Sequence, residues 1–95
     1  MTKITFSQKA IDALISQAKY IYELTYNKQK ADTYLDEMET YITNTLKVHP
    51  HIGRPAPELG IDIRKLVYKR YSILYRITEI QIEILVIYRE NLPNL

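Results

Sequence analysis

Apolar side chains between residues 11 and 46 recur every three or four positions, which is the spacing of one face of an α-helix. Ser7 precedes this run, and a serine oxygen can accept a hydrogen bond from a free amide in a first helical turn. Residues 25–31 interrupt the pattern, so two amphipathic helices are predicted to form an antiparallel hairpin. Their apolar faces are expected to hold Ile11, Leu14, Ile15, Ala18, Ile21 and Tyr22, and then Ala31, Tyr34, Leu35, Met38, Tyr41, Ile42 and Leu46.

The second half of the chain has the shorter apolar periodicity of β-strands. Strands are predicted over residues 61–68, 71–77 and 82–88, and a first strand over Lys3–Phe6 precedes the helices. Residues 49–60 hold both glycines and most of the prolines, so this segment is expected to be a loop. The order β-α-α-β-β-β predicts an α+β domain, with the helical hairpin packed on one face of a twisted, mainly antiparallel sheet.

Alternation along the strands also assigns side chains to the two faces of the sheet. The more apolar sets are expected beneath the helices, and they are Tyr71, Ile73, Tyr75 and Ile77, and then Ile82, Ile84, Val86 and Tyr88. The same rule puts Arg76 and Arg89 together on the open face. The strand before them is equally apolar on both faces, so either Lys65 or Arg64 joins this pair.

Length and composition limit the classes of protein. The 95 residues fit a single domain over residues 1–95. The absence of cysteine excludes disulfides and thiolate metal sites. No segment has the apolar length of a signal peptide or a membrane span, so a cytoplasmic protein is expected. His49 and His51 have no third ligand nearby, and we interpret them as surface residues rather than as a metal site. No cofactor motif is present.

Basic side chains are concentrated between residues 64 and 77, although the net charge is only +2. A local positive surface of this kind suits an anionic or acidic partner, while ordinary solvated strand residues are the simpler interpretation. The predicted partner-binding residues are Arg64, Lys65, Lys69, Arg70, Arg76 and Arg89.

Several motifs in this order resemble the RelE/ParE superfamily of bacterial toxins from type II toxin–antitoxin pairs. They are "HIGRPAPEL" after the second helix, "IRKLVYKRYSILYRI" and "IEILVIYR". The resemblance covers nearly the whole chain. It implies a small cytoplasmic bacterial toxin that a cognate antitoxin neutralises within a hetero-oligomer, and that serves functions such as plasmid stabilisation.

Two branches of the superfamily imply different activities. RelE-like toxins are ribosome-dependent ribonucleases that cut mRNA, with Lys and Arg on the sheet. ParE-like toxins inhibit DNA gyrase and lack that catalytic set. Here only Lys65, Arg76 and Arg89 match catalytic positions, and Ser72 replaces an arginine of many relatives. The resemblance therefore favours a non-catalytic gyrase inhibitor over a ribonuclease that acts on ribosome-bound mRNA.

Overall fold

The computed structural model describes residues 3–89, and the predicted order of elements is confirmed. The elements are β1 (Lys3–Phe6), α1 (Gln8–Thr25), α2 (Lys28–Val48), β2 (Arg54–Pro55), a short 3₁₀ helix (Pro57–Leu59), β3 (Ile63–Tyr68), β4 (Tyr71–Ile77) and β5 (Gln81–Arg89). Two details differ from the prediction. The segment between α2 and β3 contains a two-residue strand and a 3₁₀ turn, and β3 begins at Ile63.

Side-chain caps define where the two helices begin. Ser7 Oγ accepts a hydrogen bond from the Ala10 amide at 3.0 Å, as predicted. Asn27 Oδ1 accepts one from the Lys30 amide at 3.1 Å and so begins α2. Each cap satisfies an amide that has no partner inside its helix, and replacing such a cap by alanine typically costs about 1 kcal/mol. Only Tyr26 and Asn27 therefore separate the helices of the hairpin.

The sheet has the order β1-β5-β4-β3-β2. β1 pairs with β5 in parallel, and every other pair is antiparallel. β5 thus lies between two neighbours, which suits a strand that is apolar at most positions. The outer edges of β1 and β2 are the two edges of this sheet.

The core lies between the helical hairpin and one face of the sheet. Leu46, Ile73 and Tyr75 are completely buried, and the predicted set of β4 residues beneath the helices is confirmed. Burying one large aliphatic or aromatic side chain stabilises a fold by about 1.5–3 kcal/mol relative to leaving it exposed. The core also contains Ala10, Leu14, Met38, Ile42, Leu66, Tyr71, Ile82, Ile84 and Ile87.

The predicted apolar face of α1 is only partly right. Ile11, Ile15 and Tyr22 are 38%, 56% and 46% exposed, while the preceding residue of each is wholly or partly buried. A step of one residue rotates a side chain by about 100° around a helix. The apolar arc of α1 is therefore wider than the arc that the sheet and α2 cover, and an apolar stripe remains on the surface. We call Ile11, Ile15 and Tyr22 the α1 stripe.

Candidate functional site

Two of the predicted basic residues lie on the open face of the sheet, which is the face opposite the helices. Arg76 pairs with Glu83 across β4 and β5, and Lys65 pairs with Leu74 across β3 and β4. The guanidinium Nε of Arg76 is 3.7 Å from a carboxylate oxygen of Glu83, and both side chains are partly exposed. This contact partly neutralises Arg76, although ion pairs of this exposure add little to stability.

Arg89 lies on the other face, so the prediction that it joins Arg76 is wrong. Arg89 pairs with Tyr71, whose hydroxyl contacts Gln17 of α1. The guanidinium carbon of Arg89 is 5.9 Å from the ring centre of Tyr20, which also lies on α1. The guanidinium groups of Arg76 and Arg89 therefore lie on opposite sides of the sheet. Val86 and Tyr88 were predicted to face the core, and both predictions are wrong because the same change of face begins at Leu85.

A β-bulge in β5 causes this change of face. Leu74 pairs with Val86 and Tyr75 pairs with Ile84, so Leu85 is an extra residue. An extra residue reverses the alternation for the rest of a strand. Ser7 donates from its hydroxyl to the Leu85 carbonyl at 2.6 Å, so the cap of α1 holds the bulge in place.

The centre of the open face is closed although no helix covers it. Ser72 is completely buried and Leu74 is 9% exposed. The ammonium group of Lys65, on β3, lies 5.9 Å from the ring centre of Tyr88, on β5. Because β4 separates these two strands, the Lys65 side chain must pass over β4 between Leu74 and Ser72. At residue 72 this part of the open face holds a small, completely buried serine.

A second set of contacts fastens the loop after α2 to the sheet. The Tyr75 hydroxyl donates to the Pro50 carbonyl at 2.8 Å and accepts from the Gly53 amide at 2.9 Å. The Nη1 group of Arg64 donates to the carbonyl of Gly53 at 2.7 Å and to the carbonyl of His51 at 3.2 Å. We call Pro50, Gly53, Arg64 and Tyr75 the loop anchor.

The loop anchor explains why glycine occupies position 53. A Cβ at that position would lie 2.7 Å from both Cε1 and the hydroxyl oxygen of Tyr75 and 3.0 Å from the Lys65 carbonyl. The two distances to Tyr75 are shorter than carbon contacts allow, so glycine suits this close approach of the loop to the ring. The motif "HIGRPAPEL" contains this glycine, but the contact of Gly53 with Tyr75 joins residues that are distant in sequence.

Burial raises the pKa of the Tyr75 phenol, while the hydrogen bond from the Gly53 amide and the charge of Arg64 lower it. The hydroxyl therefore keeps its proton under ordinary conditions and can donate to Pro50. Arg64, one of the predicted partner-binding residues, donates to backbone carbonyls of its own chain. Its hydrogen bonds hold the loop.

The remaining predicted cations lie together where β3 turns into β4 and β5 ends. Lys69 and Arg70 form the turn, and Arg89 is paired with Tyr71, the next residue of the chain. The Lys69 ammonium lies 6.0 Å from the ring centre of Tyr34. We call Lys69, Arg70, Arg89, Tyr20 and Tyr34 the turn cluster.

Electrostatics agree with this geometry. Burial and a hydrogen bond with Tyr71 raise the pKa of the Tyr34 phenol, whereas the charge of Arg89 lowers it. Tyr34 is thus close enough to both Lys69 and Arg89 to interact with their charges. Neither Lys69, Arg70 nor Arg89 makes an ion pair with another residue of the described part of the chain.

Two further sequence predictions concern metal ligands and membrane spans within residues 3–89. His49 and His51 are exposed, and this part of the chain holds no group of three or more histidine, cysteine or acidic residues that could bind a metal ion. Neither helix has the length and hydropathy needed to cross a bilayer.

Comparisons with known proteins give one consistent result. A family model described as the ParE toxin of the type II toxin–antitoxin system parDE matches residues 4–91. A solved structure described as the chromosomal ParDE toxin–antitoxin system from P. aeruginosa is similar in fold, with a TM-score of 0.78 and 20% sequence identity. The similarity covers 96% of this chain and 98% of that chain. No curated protein sequence matches significantly.

Proposed function

Because this chain belongs to the ParE toxin family of type II toxin–antitoxin systems, we propose that it arrests bacterial growth by binding DNA gyrase without catalysing a reaction. The separation of the three candidate catalytic cations carries this proposal. Cleavage by a ribose 2′-hydroxyl needs proton transfer and stabilisation of the phosphorane charge at one place. Lys65 and Arg76 share the open face, but Arg89 lies across the sheet.

The state of the open face also disfavours cleavage. Arg76 contacts the Glu83 carboxylate, and Lys65 lies over the Tyr88 ring. Ser72 occupies the place of a further cation and is completely buried. A phosphorane on this face would therefore meet few available positive charges. The alternative function, ribosome-dependent cleavage of mRNA, is favoured only by the pair of Lys65 and Arg76 on one face.

A cognate antitoxin is the second partner that the proposal includes. The α1 stripe exposes Ile11, Ile15 and Tyr22 along one side of the helical hairpin, and an amphipathic helix could bury them. The outer edge of β1 could in addition accept a strand. Both modes lead to a toxin–antitoxin hetero-oligomer in the bacterial cytoplasm, where gyrase acts on the chromosome.

Purified components test the gyrase proposal directly. The toxin is expected to inhibit supercoiling of plasmid DNA by gyrase, and toxin mixed beforehand with its antitoxin is expected to leave supercoiling intact. A translation reaction with the same amount of toxin is expected to keep its mRNA whole. Induced cells should form filaments and start a DNA-damage response.

A different result would support the ribonuclease. Cut mRNA in the ribosomal fraction, together with normal supercoiling, would exclude the gyrase proposal. The double variant Lys65→Ala and Arg76→Ala would then be the first to compare, with Lys9→Ala and Lys28→Ala as a control of equal charge change. Both control residues are exposed and distant in sequence from the open-face pair.

The antitoxin part of the proposal has its own variant. Ile15→Glu puts a charge in the middle of the α1 stripe, where the wild-type side chain is 56% exposed. Antitoxin affinity is expected to fall about tenfold or more, because a buried unpaired carboxylate opposes docking. Val48→Glu, at a residue 69% exposed near the end of α2, is the control. Equal antitoxin affinity of the two variants would exclude the α1 stripe as the interface.

A further inference from the structure

The turn cluster contains cations that the fold does not use for ion pairs. Lys69, Arg70 and Arg89 are exposed and belong to two separate segments, and pairing of Arg89 with Tyr71 brings the segments together. Within residues 3–89 none of the three contacts a carboxylate. By contrast, Arg54, Arg64 and Arg76 each bind a carboxylate or a carbonyl.

Two of these cations are held in position by aromatic rings. Lys69 Nζ lies 5.2 Å from the ring centre of Tyr68 and 6.0 Å from that of Tyr34. Arg89 lies 5.9 Å from the ring centre of Tyr20. A cation above an aromatic ring gains about 0.5–1 kcal/mol at an exposed site. Side chains ordered in this way lose less conformational entropy when a partner binds.

The backbone of the turn gives an independent observation. Lys69 has φ of 54°, in the left-handed region where glycine or asparagine is more stable than lysine. The turn thus carries a charged side chain in a strained conformation. Strained residues are concentrated at binding sites, where the side chain matters more than the local conformational energy.

We propose that the turn cluster is a docking site for an acidic segment of the antitoxin. This inference rests on the proposed function, in which an antitoxin binds the toxin. It places a second contact at the end of the sheet, separate from the α1 stripe. Arg70 and Arg89 can each hold a carboxylate with two hydrogen bonds, and Lys69 can hold a third carboxylate as a single charge.

The surroundings favour a short acidic peptide over a nucleic acid. Asp36 and Glu37 line a cleft together with Tyr68, which is one of the rings beneath Lys69. A nucleic acid strand continues its row of phosphates beyond three cations, and the next phosphates would approach these carboxylates. A peptide with a few carboxylates needs only the area of the turn cluster.

Synthetic probes test the chemistry of the site. Fluorescence anisotropy would compare a labelled octapeptide that carries three consecutive glutamates among glycine and serine residues with a labelled thymidine oligonucleotide of eight nucleotides. The triple variant Lys69→Gln, Arg70→Gln and Arg89→Gln is expected to bind the peptide about tenfold more weakly than the wild type. The control triple variant Lys9→Gln, Lys28→Gln and Lys47→Gln removes the same charge from exposed positions elsewhere and is expected to keep the wild-type affinity.

Two results would overturn the assignment of chemistry. Equal peptide affinity of the two triple variants would show that only net charge matters. Tighter binding of the oligonucleotide than of the peptide, lost in the first triple variant, would assign the site to nucleic acid. Melting temperatures of both variants confirm that each is folded before binding is measured.

Neutralisation by the antitoxin tests whether the antitoxin is the partner that binds the turn cluster. The first triple variant is expected to stay toxic in cells and to need several times more antitoxin for neutralisation than the control. Loss of toxicity with unchanged antitoxin affinity would show that the turn cluster binds the target of the toxin, and would refute the proposal. Failure of wild-type toxin to inhibit gyrase would refute the proposed target, while the antitoxin measurement would still report on the turn cluster.

Discussion

The loop anchor and the turn cluster are built from the same kinds of side chain and use them differently. In the loop anchor, Arg64 donates to two backbone carbonyls and Tyr75 bonds a third carbonyl and an amide. In the turn cluster, Arg89 and Lys69 lie over tyrosine rings and contact no carboxylate of residues 3–89. A loop that crosses a sheet brings backbone groups that need partners, whereas a tight turn brings few. The surroundings therefore decide whether an arginine supports the fold or remains available for binding.

Gly53→Ala should have the largest effect, because it acts on the loop anchor. The new methyl group would overlap the Tyr75 ring and approach the Lys65 carbonyl, neither of which can move without disturbing the core. We expect the free energy of unfolding to fall by about 2–3 kcal/mol. Urea unfolding would measure it, with Asn44→Ala on an exposed part of α2 as control. A loss below about 0.5 kcal/mol would show that the loop adapts and that the anchor is not rigid.

Tyr75→Phe should have the next largest effect. Removing the hydroxyl leaves the Gly53 amide and the Pro50 carbonyl without this partner, at a residue whose side chain is completely buried. Leaving such groups unsatisfied costs about 1–3 kcal/mol, and we expect a loss of about 2 kcal/mol. Tyr26→Phe, at a residue 84% exposed, is the matched control and should change little. Equal stability of the two variants would show that the Tyr75 hydroxyl does not hold the loop in place.

Alkaline pH should lower the stability of the protein through Tyr34 of the turn cluster, by less than the two substitutions in the loop anchor do. The folded protein holds the Tyr34 phenol protonated, while the unfolded chain releases this proton above its ordinary pKa of 10.0. The unfolded state then binds fewer protons, so stability is fully present below pH 10.0 and is lost as pH rises through the raised pKa of Tyr34. Tyr34→Phe should therefore lose less stability than the wild type between neutral pH and pH values above 10.0. If thermal unfolding shows that the two proteins lose equal stability as the pH rises, the raised pKa of the Tyr34 phenol is contradicted.

Much of the fold follows from local periodicity, and the errors occur where distant residues meet. The spacing of apolar residues predicts both helices and the face of β4, because the alternation of β4 is unbroken from Tyr71 to Ile77. The alternation of β5 fails at Leu85, where the Ser7 hydroxyl bonds a carbonyl 78 residues away in sequence. No local pattern encodes that contact. The position of Arg89, and with it the turn cluster, could therefore be found only from the structure.

The candidate site shows the same division. The sequence identifies which residues are basic, and resemblance to the toxin superfamily identifies the motifs that contain them. Neither the sequence nor the resemblance separates Arg64, which supports a loop, from Arg70, which is exposed in a turn. That distinction depends on which carbonyls come within reach once the chain is folded. The exposure of Ile15 likewise depends on how far the sheet and α2 extend around α1.

Lys69→Asn should have the smallest effect on stability and should raise it. Asparagine adopts the left-handed conformation more readily than lysine, so at φ of 54° we expect a gain of about 0.5 kcal/mol. Arg70→Asn, whose position has no positive φ, should give no gain and serves as the control. The same Lys69→Asn protein should bind the labelled acidic octapeptide less well, because one of three cations is gone. Higher stability with weaker binding would show that the turn keeps lysine for its charge, as the contrast with the loop anchor requires. If Lys69→Asn is instead less stable than the wild type, the contacts of Lys69 with Tyr34 and Tyr68 outweigh the backbone strain, and the lysine belongs to the fold as Arg64 does.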